Sequence, residues 1–73
     1  MVKVYSKPNC MQCKFTKKFL DEHGVAFEMI DVTESEAALE EVKALGFQAL
    51  PVIVADGEEP FYGFRPDILA KFA

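Results

Sequence analysis

Seventy-three residues, 51% of them hydrophobic and seven of them Phe, are enough for one small core, and a single domain spanning residues 1–73 is expected. A net charge of −4 argues against general nucleic-acid binding. No apolar run approaches membrane-spanning length, so neither nucleic acid nor membrane is expected as a partner.

Val2-Lys3-Val4-Tyr5-Ser6 alternates and is predicted as a strand rather than a signal peptide. Lys7-Pro8-Asn9 breaks it and leads to Cys10 and Cys13, the only cysteines. Residues 11–23 are predicted helical. Phe15, Phe19 and Leu20 supply the apolar stripe, with Thr16 beside it, and Lys14, Lys17 and Lys18 share the other side. Gly24 is placed to end this helix in a left-handed cap, and His23 is a last-turn residue without a catalytic role. Residues 26–32 read as the second strand. Thr33 followed by Glu36 is a capping-box pattern for a second helix running to about Leu45. Ala38, Val42 and Leu45 face inward there, Glu40, Glu41 and Lys43 outward, and Gly46 closes the helix.

Leu50 to Ala55 is an apolar, buried strand opened by Pro51. Asp56-Gly57 is a hairpin turn, and Pro60 marks the returning strand as an edge. Pro66 and Asp67 start a short last helix whose apolar side is Ile68, Leu69 and Phe72.

The chemistry is concentrated in the two cysteines. If the residues after Cys10 are helical, Cys10 stands at or just before the first turn and Cys13 lies one turn on, on the same face. Their sulfurs can then meet in a small loop that opens and closes reversibly. The unpaired N–H groups of that turn favour negative charge on Cys10, which makes a thiolate nucleophile available near neutral pH. The pair therefore reads as a thiol–disulfide exchange site with Cys10 and Cys13 as its catalytic residues. A structural disulfide fits less well, because there is no framework of four or six cysteines and no secretory segment. A zinc site needs about four ligands, and only His23 and carboxylates remain. A metal or iron–sulfur carrier that shares Cys10 between two copies stays open as a further reading. No metal is expected in the chain itself. A lone cysteine pair points to a reducing, cytoplasmic compartment.

The order β-α-β-α-β-β-α, with a cysteine pair after the first strand and a proline before the third, resembles the thioredoxin fold: an α/β, four-stranded mixed sheet flanked by three helices. The chain resembles glutaredoxins across its length through Tyr5-Ser6-Lys7-Pro8-Asn9-Cys10, Leu50-Pro51-Val52 and a glycine loop before the last helix. More narrowly it is similar to the NrdH-redoxins, through Cys10-Met11-Gln12-Cys13 and Gly63-Phe64-Arg65-Pro66-Asp67. The resemblance implies a dithiol protein disulfide oxidoreductase, an electron carrier that donates hydrogen to class Ib ribonucleotide reductase for deoxyribonucleotide synthesis. It implies recharging by thioredoxin reductase with NADPH, action as a monomer, and no cofactor beyond the redox-active Cys10–Cys13 disulfide. It also implies a cis Pro51 facing the cysteines, with Leu50 offering its backbone to an extended peptide. The partner-binding residues so implied are Lys7, Met11, Gln12, Lys14, Leu50, Pro51, Gly63, Phe64 and Arg65.

Two positions depart from family patterns. Phe61-Tyr62 stands where NrdH-redoxins usually carry Trp-Ser, and Met11-Gln12 stands where dithiol glutaredoxins usually carry Pro-Tyr. A glutathione-dependent glutaredoxin is the alternative, with Lys7 pairing a glutathione carboxylate. Against it, Pro66 removes a backbone N–H where an anionic tripeptide would need one. Residues 1–20 carry five lysines and no acid, while residues 21–60 carry eleven acids and one base, Lys43. The expectation is a basic strip of Lys14, Lys17 and Lys18, extended by Arg65, that steers an acidic partner segment to the cysteines.

Overall fold

The alternation of Val2–Ser6 points Val2 and Val4 to one face of the first strand, β1, and Tyr5 to the other, and the sheet is built around it. The structure is a computed structural model describing residues 1–73. β1 is followed by α1 (Met11–Glu22), β2 (Phe27–Asp31), α2 (Glu36–Ala44), β3 (Val52–Ala55), β4 (Glu58–Tyr62) and α3 (Pro66–Leu69), with a closing 3-10 turn at Ala70–Phe72. The sheet order is β2-β1-β3-β4. β1 runs parallel to β2 and antiparallel to β3, and β3 and β4 form the antiparallel hairpin. A parallel pair needs a crossover, and α1 supplies it. The mixed four-stranded sheet and three helices are those the sequence predicts. β4 lies at one edge, which Pro60 tolerates.

The period of two in β1 sorts the core into two layers. Val2 and Val4 face α1 and α3 and pack with Leu20, Ile53 and Leu69. Tyr5 faces α2 and packs with Val32, Ala38, Val42 and Val52. Val52 and Ile53 are adjacent in β3, and both are fully buried, because a helix covers each face at that point. No helix is long and apolar enough to cross a membrane.

Three local expectations are corrected. Phe15 is 48% exposed, and the buried side of α1 is Cys13, Thr16 and Leu20, spaced by three and four residues. Cys13 takes the inward position of a small hydrophobe, and that rotates Phe15 outward. Thr33 does not cap α2: its N–H and hydroxyl both donate to Asp31 Oδ1, at 2.8 and 2.6 Å. Ser35 is the cap instead, its side chain accepting from the Ala38 N–H at 3.2 Å. Leu45 is 44% exposed because α2 has already ended at Ala44. Gly46 takes φ +89° there, and Phe47 turns back so that its N–H bonds the Val42 carbonyl at 3.2 Å.

The Tyr5 hydroxyl donates to the Glu41 carboxylate beneath α2. Burial first, and then that bond, push the Tyr5 hydroxyl up from 10.0 to about 12. The folded chain therefore holds a proton that the unfolded chain releases at lower pH. Its contribution to stability is complete below pH 10 and is lost as pH rises toward about 12, by roughly 2–3 kcal/mol. Urea unfolding at pH 9 and at pH 11.5 checks this. The stability advantage of the native chain over Tyr5→Phe should shrink across that interval, and an advantage that does not change would refute the assignment.

Candidate redox site

Asn9 sits at φ +62°, in the left-handed region that Asn tolerates better than most side chains. The turn it makes carries the chain from β1 into α1 and leaves Cys10 as the N-cap in extended conformation. Cys10 and Cys13 are joined in a disulfide with Cα atoms 5.2 Å apart. The Cys13 N–H points at Cys10 Sγ, 3.2 Å away. Sulfur thus fills the place usually taken by a Ser or Asp oxygen, and α1 has no acidic residue in its first turn. Cys10 is 8% exposed and Cys13 3%. Of the two sulfur-bearing residues, Cys10 is the one a partner reaches first.

The implied partner-binding residues fall into three groups around this pair. The first is the β3 entrance. Leu50-Pro51 is a cis peptide, and the Leu50 carbonyl lies 3.9 Å from Cys10 Sγ. With the disulfide closed there is no thiol proton, so this is a contact rather than a hydrogen bond. The second is the loop before α3. The Gly63 N–H donates to the Pro51 carbonyl at 2.8 Å. Gly63 is at φ +90°, and a Cβ there would meet Gln12 Oε1 at 3.4 Å. Gln12 Oε1 accepts from the Phe64 N–H at 3.2 Å. Residues from α1, the β3 entrance and the 63–64 loop are therefore tied to one another beside the sulfurs. Phe64 lies against Phe15 and Phe19, with ring centroids at 5.9 and 6.2 Å. Phe15 is thus part of the surface flanking the site, a placement that the helical stripe does not predict.

The third group is the cations and Met11. Met11 is 62% exposed in the first turn of α1. Lys7 and Lys14 are exposed and make no ion pair. The rest of the expected basic strip is occupied. Lys17 pairs with Asp21 at 2.8 Å and Lys18 with Glu22 at 3.8 Å, each one turn along the same helix. Arg65 pairs with Asp67 at 3.2 Å. The strip is therefore a set of compensated pairs with Lys14 as its free charge. His23 caps α1 at its C-terminus, with Nδ1 2.8 Å from the Phe19 carbonyl and its ring stacked on Phe19. No group of three or more His, Cys, Asp or Glu side chains converges as a metal cluster.

In the reduced chain, the Cys10 thiolate should form below the value of about 8.5 of an unperturbed thiol, because the Cys13 N–H and the start of α1 favour the anion. The rate of alkylation of Cys10 by iodoacetamide, followed against pH, measures it. A midpoint at or above the unperturbed value would show that the cap geometry does not activate the sulfur.

The glutaredoxin family model matches residues 2–59. The chain is 53% identical over 73 residues to the glutaredoxin-like protein NrdH of Lactococcus lactis subsp. lactis, covering all of both chains. It is 40% identical over 70 residues to the glutaredoxin-like protein NrdH of Escherichia coli, covering 96% of this chain and 85% of that one. The solved structure of the E. coli NrdH-redoxin, a glutaredoxin-like protein with a thioredoxin-like activity profile, superposes with a TM-score of 0.93. It is 36% identical, over 99% of this chain and 93% of that one. A buckwheat glutaredoxin–glutathione complex shares the fold alone, at 20% identity and a TM-score of 0.73, over 92% of this chain and 64% of that one. The chain belongs to the glutaredoxin family and, within it, to the NrdH glutaredoxin-like proteins.

Proposed function

We propose that the protein is a dithiol protein disulfide reductase that donates electrons to class Ib ribonucleotide reductase and is recharged by thioredoxin reductase with NADPH. It works as a cytoplasmic monomer, with no metal and no cofactor beyond its own disulfide. The observation that carries this reading is the cysteine pair itself: Cys10 at the N-cap of α1, more exposed than Cys13, with the Cys13 N–H directed at its sulfur. The Cys10 thiolate attacks one sulfur of the partner's disulfide, and the partner's other sulfur leaves as a thiolate. Cys13 then gives up its proton and attacks Cys10 Sγ. The first partner sulfur is released, and Cys10–Cys13 is oxidised by two electrons as the partner gains two. Thioredoxin reductase returns those electrons from NADPH.

The 63–67 segment supports a protein partner over glutathione. Three groups there that could hold an anion are already engaged or absent. The Phe64 N–H is taken by Gln12, Arg65 by Asp67, and Pro66 has no N–H to offer. The activity profile of the E. coli relative, thioredoxin-like in a glutaredoxin-like chain, points the same way. Met11, Gln12, Leu50, Pro51, Gly63 and Phe64 form the surface on which the partner strand lies, with Lys7, Lys14 and Arg65 around it.

Two coupled assays decide between the recharging routes. Turnover with NADPH and thioredoxin reductase should exceed turnover with glutathione and glutathione reductase by at least about tenfold. Comparable rates would move the protein to the glutathione-dependent glutaredoxins. Cys13→Ser should accumulate a covalent mixed disulfide with a disulfide substrate, seen as an added mass that dithiothreitol removes. If instead Cys10→Ser traps the adduct, the order of attack is reversed.

A further inference from the structure

One cleft lies beside the redox pair, on the far side of Leu50, and shares only Lys7 and Leu50 with the surface described so far. It has a volume of about 300 Å³ and lies between α2 and the segment leading into β3. Its apolar lining is Val32, Leu39, Val42 and Phe47. The reversal at Gly46 creates it, because the bond from Phe47 N–H to the Val42 carbonyl folds Phe47 back beside the end of α2. Leu50 forms the wall nearest the sulfurs, and its carbonyl is 3.9 Å from Cys10 Sγ. Two lysines stand on the rim, Lys7 from the β1 side and Lys43 from α2. Both are exposed, and neither has a carboxylate within ion-pair distance. Lys43 is the one base in an otherwise acidic stretch of the chain.

We propose that this cleft is the specificity pocket for the polypeptide segment that carries the partner's disulfide. It takes one aliphatic side chain, a few residues from the reacting cysteine, while an adjacent Asp or Glu of the segment pairs with Lys43 and Lys7. The inference rests on the protein disulfide reductase reading and makes it more specific. An extended segment whose cysteine reaches Cys10 must pass Leu50, and the cleft begins on the other side of that residue. The apolar floor gains from excluding water, and the two free cations select the sign of the flanking charge. Lys43 and Leu39 are thereby specificity-determining residues, and Lys7 acts from the opposite rim. Leu39 and Lys43 project from one side of α2 at i and i+4, so one approaching segment meets both.

Short synthetic peptides with an internal disulfide test this, reduced by the full-length protein under NADPH and thioredoxin reductase. One peptide carries Leu and Asp beside the cysteine, a second Ser and Asp, a third Leu and Lys. A small neutral disulfide is the reference for the chemistry of Cys10 and Cys13 alone. The Leu and Asp peptide should be the best substrate. Lys43→Glu should lower its kcat/KM by at least about fivefold relative to the reference and should raise that of the Leu and Lys peptide. Leu39→Ser, at a position already partly exposed, should erase the preference for Leu over Ser. Equal rates for all three peptides with the native protein would overturn the pocket, and so would a Lys43→Glu loss that reversal of the peptide charge does not repair. The reading beneath fails differently: the native protein would then reduce none of the peptides while remaining active with glutathione, and the pocket would fall with it.

Discussion

An α-helix begins with four backbone N–H groups that have no partner within it, and α1 meets one of them with sulfur. Cys10 stands at the cap, the Cys13 N–H points at its Sγ from 3.2 Å, and no acid sits in the first turn to share the positive end. The quality of that cap depends on what the sulfur is. In a disulfide, sulfur is a weak acceptor, whereas a thiolate carries a full negative charge and makes a charge-assisted bond. The helix end and the nucleophile therefore stabilise each other in the reduced state. In the proposed exchange cycle, that N–H belongs to the resolving residue, so the backbone directed at Cys10 Sγ also carries the second thiol.

That arrangement holds only if the start of α1 cannot drift, and the packing shows why it does not. Cys13, Thr16 and Leu20 form the buried side of α1, and Thr16 adds a 2.9 Å bond from its hydroxyl to the Gln12 carbonyl. Leu20 is fully buried against Val4 and Ile53 of the two central strands. On the open side the ties are polar: Gln12 to Phe64, and Gly63 to Pro51. A side chain at position 63 would require both a left-handed backbone and room beside Gln12 Oε1. Apolar packing holds the redox pair from behind, and two backbone N–H donors from one loop hold its front.

Much of this was legible in the sequence, and the misses have physical causes. The alternation of β1, the helix after the cysteines, the glycines after α1 and α2 and the hairpin at Asp56-Gly57 are local signals, and the structure follows them. The stripe of α1 differs from the sequence expectation because Phe15 is the larger apolar side chain, whereas Cys13 is the one that faces inward. Which helical face turns inward is decided by the sheet, and only Cys13 satisfies both the core and the disulfide. Thr33 and Ser35 are both plausible caps by type, and Asp31 settled the matter by capturing the Thr33 hydroxyl. Lysines alone suggest a basic strip on α1, but the helix also carries acids. The acids at Asp21 and Glu22 that cancel Lys17 and Lys18 lie one turn further along α1. The cleft beside Leu50 had no sequence signal at all, since it arises where Phe47 folds back onto α2.

The two faces of the sheet are covered unequally, and this asymmetry places the reactive surface. The face beneath α1 and α3 is sealed by rings: Phe19, Phe27, Phe61, Phe64 and Phe72 all pack against its core. The other face has one helix of nine residues, whose buried contacts are the small side chains Ala38 and Val42, and only Phe47 is an aromatic ring packed over the core that holds Tyr5. Such a helix covers Tyr5 and Val52 but leaves open space toward the β3 entrance. That opening adjoins Cys10, because β1 ends at the cysteines and β3, its antiparallel neighbour, begins beside them. Strand direction thus brings the thinly covered edge of the core and the activated sulfur to the same end of the sheet. On the reading proposed above, recognition draws on core-flanking side chains left partly open, with the exposed lysines Lys7 and Lys43 at the margin.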